Sequence, residues 1–212
     1  ILIMAGTYVV ASPITLRAGI SLIGEVAGTY LIGQTNEQSM FICQASSTIP
    51  TLGGNSGSGD VAPTPGSNVN KIKLANLILF DNLNAAVSSG GATMATVGMV
   101  SMQQGANVEC DNVSFFGRLN AGSVLNRIKT AAAIKTISGV ASATTLQVKH
   151  CFFDGLKSAI VFNPSAGDLD FLSVQHCRGR FYGKEAASYT AAEDCAIFTS
   201  LANIEVSQNV WA

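Results

Sequence analysis

Five segments of the chain share one pattern without gaps: apolar-x-apolar-x-(Asn/His/Gln)-x-x-large apolar. They cover residues 72–79, 108–115, 146–153, 172–179 and 204–211, with Gly179 the one departure at the last place. Alternation with a period of two marks a strand with one buried face. The polar fifth place, occupied by Asn76, Asn112, His150, His176 and Gln208, marks a turn whose side chain must satisfy backbone groups. These five residues are therefore expected to stack as an internal polar ladder. A second, weaker strand precedes four of the five segments, at 97–102, 133–137, 159–162 and 196–199.

Successive fifth places lie 36, 38, 26 and 32 residues apart. Such unequal repeats are incompatible with a helical solenoid of fixed interfaces, but a coil of strands tolerates loops inserted at one corner. Hairpin signals between the strands are scarce, which argues against a meander. The pattern predicts an all-β fold, a single-stranded right-handed parallel β-helix (a solenoid) with irregular loop insertions, forming a single domain over residues 1–212. Two excursions interrupt it, the Gly/Ser/Pro-rich stretch 51–70 and the more apolar stretch 82–96. Residues 184–193 form a short helix or a loop.

The opening text, Ala5-Gly6-Thr7-Tyr8 followed by the Gly-punctuated strands of 14–24, resembles the first coils of the pectate-lyase-like β-helix superfamily. The five polar turns resemble the "Asn-x-x-Phe" rungs of that superfamily. The resemblance covers most of the chain and implies the fold. It leaves function open among lyases, hydrolases, phage tailspikes and non-catalytic virion proteins.

Composition narrows the choice. Only 12% of the 212 residues are charged, the net charge is −1, and 48% are hydrophobic. With a mean hydropathy of +0.35, much apolar surface must be buried in the core or against other subunits. The balance excludes disorder, and it provides no clustered basic face for nucleic acid. No apolar run is long enough to span a membrane, so no membrane insertion is expected. The first residue is Ile1 and no signal-peptide pattern follows, so the chain reads as the ordered part of a longer or processed protein. Five cysteines (Cys43, Cys110, Cys151, Cys177, Cys195) without a C-x-x-C read as buried thiols.

Candidate chemistry is thin. His150-Cys151 and His176-Cys177 fall at equivalent places in adjacent coils, yet neighbouring residues of an extended chain point opposite ways and cannot converge on one ion. No metal and no cofactor is expected. Arg127-Ile128-Lys129 matches the Arg-Ile-Lys motif of polygalacturonases, but their Asn-Thr-Asp, Asp-Asp and Gly-His-Gly motifs are missing. A glycosidase needs two carboxylates about 5–10 Å apart. Asp154, Asp168 and Asp170 are the candidates if the chain were a polysaccharide hydrolase or lyase, and turn capping is the reading preferred for Asp168. Gly53-Gly54-Asn55-Ser56-Gly57 lacks the Lys and helix of a phosphate-binding loop. Aromatic residues Phe171, Phe181, Tyr182, Tyr189 and Trp211 are assigned mainly to packing.

The expectation is a non-enzymatic virion structural protein of a bacteriophage. It would be a homotrimeric β-helix at the particle surface, acting as a capsid-decorating (cement) protein or a tailspike-like shaft. Its partners would be itself, capsid or tail subunits, and a host surface glycan if it binds one. The viral element rests on the resemblance. The nearly uncharged strand edges at residues 1–4 and 203–212 would need covering by further sequence, another subunit or a capsid surface. A homotrimer is expected because threefold packing of coils, with the 51–70 loop ordered against a neighbour, would bury exposed apolar faces. The alternatives are a tailspike polysaccharide depolymerase or glycan-binding receptor protein, and a fragment of a bacterial surface adhesin.

Overall fold

Period-two text with few charges can bury one face of every strand only if the strands stack, and stacking is what the chain does. The computed structural model describes residues 1–26, 28–33, 39–44, 71–81, 98–117, 130–137, 144–164, 170–180, 196–199 and 203–211. The sequence features at 51–70, 82–96, Arg127–Lys129, Asp168, Cys195 and 184–193 lie outside them. All regular structure among the described residues is strand.

Three walls of parallel strands surround one core. The first wall runs β1 (Leu2–Ile3), β4 (Ser21–Gly24), β7 (Lys71–Asp81), β9 (Asn107–Phe116), β11 (Thr145–Lys149), β14 (Phe171–Gln175) and β17 (Ile204–Ser207). The second runs β2 (Gly6–Val10), β5 (Thr29–Gly33), the later halves of β7 and β9, β12 (Phe152–Asp154), β15 (Arg178–Arg180) and β18 (Val210–Trp211). Because β7 and β9 pass through the corner, these two walls form one 12-stranded sheet. The third wall is a 6-stranded sheet of β3 (Ile14–Leu16), β6 (Phe41–Cys43), β8 (Gly98–Gln103), β10 (Thr130–Ile137), β13 (Leu156–Phe162) and β16 (Ile197–Thr199). Every strand pair among the described residues is parallel, in keeping with the scarcity of hairpin signals. The molecule is thus all-β and solenoid-like.

Register follows the sequence repeat. Ile72, Val108, Leu146, Leu172 and Ile204 pair in succession, as do Leu74, Cys110, Val148, Val174 and Val206. All but the last coil's members are buried, and each fully buried Leu, Ile or Phe contributes about 1.5–3 kcal/mol. The eighth place of the repeat builds an inner stack in the second wall. The Phe115 and Phe153 rings lie 5.1 Å apart and 2° from parallel. Gly179 leaves a gap one coil further on, and Trp211 of the next coil reaches across it to within 6.0 Å of the Phe153 ring. The departure from the pattern is therefore filled by the largest side chain in the chain. In the third wall, Phe41, Val100, Ile134 and Ile160 form the matching buried row.

Candidate functional site

The five polar fifth-place residues all adopt the left-handed conformation, with φ between 53° and 55°, at the corner joining the first and second walls. They are the only non-glycine residues with positive φ among the described residues. Their side chains, however, line the outside of the corner, which corrects the internal ladder expected from the sequence. Asn112, His150, His176 and Gln208 are exposed and Asn76 is half-buried. Strict alternation carried through the corner would place them inside, but one left-handed residue reverses the phase and turns the following residue inward. The inner stack is accordingly Leu77, Val113, Cys151, Cys177 and Asn209.

That inner stack carries the backbone satisfaction predicted for its neighbours. Asn209 Oδ1 accepts from the Cys177 N–H at 2.7 Å and its Nδ2 donates to the Val174 carbonyl at 2.9 Å. The Cys151 thiol donates to the Lys149 carbonyl (3.2 Å) and the Cys177 thiol to that of Gln175 (3.3 Å). Cys43, Cys110, Cys151 and Cys177 are buried and free. Burial pushes the Cys43 thiol up to about 12 and holds Cys110 and Cys151 well above the ordinary thiol value. None of those three is poised as a nucleophile.

On the outside of the corner, Asn112 Nδ2 donates to Asn76 Oδ1 at 2.9 Å. The His150 and His176 rings stack with centroids 5.3 Å apart and planes within 15°. His150 Nδ1 lies 3.1 Å from Asp111 Oδ1. Beside them on the first wall runs an ion network that the sequence reading did not pick out. Glu109 takes Lys71 at 2.6 Å and Lys73 at 2.9 Å, and Lys73 also lies 3.6 Å from Asp111. Burial raises the Glu109 carboxyl, but the two lysines outweigh it and hold the carboxyl below its ordinary value. The signal was present: Lys73, Glu109, Gln147, Ser173 and Glu205 are the second places of the repeat.

The carboxylate candidates do not meet. Asp154 ends a second-wall strand and is held by Arg180, Nη2 to Oδ2 2.5 Å. Asp170 is buried at the turn entering the first wall of the next coil, where its Oδ1 accepts the Thr144 N–H at 2.7 Å. Thr144 Oγ1 in turn accepts the Gly105 N–H at 2.9 Å, so Asp170 extends a ladder of turn caps. A third-wall strand separates the two aspartates along the chain, and they occupy different corners.

The outer surface of the second wall carries a row of aromatic rings that the sequence reading also missed. Tyr30 and Phe80 lie 6.3 Å apart, Phe80 and Phe116 4.8 Å, and Phe116 and Phe152 5.7 Å. The Arg180 guanidinium covers Phe152 at 5.9 Å from its centroid. Tyr30 is 39% exposed and the three phenylalanines are half-buried. The first two pairs are stacked, so their faces are turned to one another and their edges to the outside. Sugars pack on ring faces, whereas an apolar ridge of edges suits contact with another protein surface.

No group of three or more metal-ligating side chains converges among the described residues, and no helix there is long and apolar enough to cross a membrane. Comparison with family models, curated proteins and solved structures finds no match.

Proposed function

We propose that the chain is a single-stranded right-handed parallel β-helix of the pectate-lyase-like superfamily and serves as a non-catalytic structural protein of a bacteriophage virion. It forms a homotrimer on the particle surface, as a capsid-decorating protein or a tailspike-like shaft, in contact with capsid or tail subunits. The right hand follows from the strong preference of parallel crossovers for that sense. The observation that carries the structural reading is the aromatic row Tyr30, Phe80, Phe116 and Phe152, an apolar ridge across four coils of an outer wall. Three such ridges meeting around a threefold axis bury the surface that a low-charge chain otherwise leaves in water. The separation of Asp154 from Asp170 supports a non-catalytic role, and the viral assignment rests on the Gly-Thr-Tyr opening and the Asn-x-x-Phe turns.

A density map of intact particles tests this reading, with the expectation of three copies of the solenoid around a threefold axis on the outer surface. Absence of the chain from purified particles contradicts the virion role. Release of oligosaccharide from a host capsule, abolished by Asp154→Asn, contradicts the non-catalytic role and favours the depolymerase.

A further inference from the structure

We infer that His150 and His176 together bind one late first-row divalent cation, of the Zn2+, Ni2+ or Cu2+ class, on the outside of the solenoid, with Asp111 orienting His150. The two residues occupy the same rung of adjacent coils with the same left-handed backbone, φ 54° each. Their side chains consequently leave the corner in the same direction, and the rings lie parallel at 5.3 Å. The cysteine beside each histidine is turned into the core, so a mixed His/Cys site is excluded while a His/His site is created.

Three features suit the pair to a cation. Asp111 Oδ1 stands 3.1 Å from His150 Nδ1, the carboxylate–imidazole arrangement that fixes a ring and leaves Nε2 with the free lone pair. The His150 side chain is 59% exposed, so an ion reaches it with water filling the remaining positions. Two nitrogens on one tetrahedral ion stand about 3.3 Å apart at bond lengths near 2.0–2.1 Å. Both side chains are exposed, and binding requires the rings to turn from their parallel arrangement until the two Nε2 atoms reach that separation. Imidazole donors select late transition ions over Mg2+ and Ca2+, which prefer oxygen. The bound ion would clip two adjacent coils together from the outside, as the inner hydrogen bonds of Asn209 do from within. The site stands independently of the virion reading.

The rung itself supplies a conservative variant, because Asn76 and Asn112 already hold the same position and backbone. Titration of the tag-free chain with NiCl2, followed by calorimetry, should show one ion per chain. His150→Asn and His176→Asn should each weaken binding at least about tenfold, and Asp111→Asn about tenfold or more. Saturating Ni2+ should raise the unfolding temperature of the parent chain and leave that of the double variant unchanged. Unaltered urea midpoints in the two single variants would establish that their folds are intact. Single variants that bind as tightly as the parent, or a parent that binds no more tightly than the double variant, would overturn the site.

Discussion

Left-handed backbone costs an ordinary side chain about 1–2 kcal/mol, and Asn and His are among the residues that meet it most readily. At the corner, therefore, the backbone of Asn76, Asn112, His150, His176 and Gln208 matters more than their hydrogen bonding, because the side chains face outward. The structural hydrogen bonds belong to Asn209, which satisfies the Cys177 N–H and the Val174 carbonyl. Asn209→Leu should cost about 1–3 kcal/mol, since it orphans the buried Cys177 N–H. Asn112→Gly should stay within about 0.5 kcal/mol of the parent, and Asn112→Val should lose about 1–2 kcal/mol. Urea midpoints at unchanged slope measure all three; an Asn112→Gly variant weaker than Asn209→Leu would contradict this division of labour. The five corner residues were legible because they repeat, but their outward direction was not. Alternation alone contains no sign of a left-handed residue that shifts the phase by one.

Coils stack closely enough that some corners admit no side chain. A Cβ on Gly24 would lie 2.2 Å from the Asn76 carbonyl oxygen, whereas one on Gly33 would meet the movable Met40 side chain at 3.2 Å. Gly24→Ala should therefore cost about 3 kcal/mol or more and Gly33→Ala about 1 kcal/mol or less, by urea unfolding. Between coils of the first wall, Glu109 is held below its ordinary pKa by Lys71 and Lys73. A carboxyl depressed on folding adds stability that is complete above its unfolded pKa and is lost as the pH falls through its folded one. Glu109→Gln should thus flatten the loss of stability between about pH 5 and pH 3; parallel curves for parent and variant would contradict the coupling. The later coils were readable in register because their alternating text repeats without gaps. The earlier ones were not, since at their corner Gly24 and Thr29 stand in place of the polar turn residue. There the Thr29 Oγ1 accepts the Glu25 N–H at 3.0 Å.

For the whole molecule, the distribution of chemistry among the outer walls is more informative than any single residue. The first wall carries the ion network of Lys71, Lys73, Glu109 and Asp111, and the second carries the aromatic row. Low charge in the sequence implied apolar surface buried in the core or against other subunits, and it gave no wall for the latter. Phe80, Phe116 and Phe152 become visible as a row only when the places on either side of the inner eighth position are known to face outward. A ridge of that kind, on a solenoid whose aspartates are kept apart, fits a part that is assembled. The native mass of the tag-free chain at micromolar concentration tests this most directly. The mass of three chains is expected, falling toward that of one in the Phe80→Ser/Phe116→Ser double variant while the circular dichroism of the sheet persists; a folded, soluble monomer from the parent chain would contradict it.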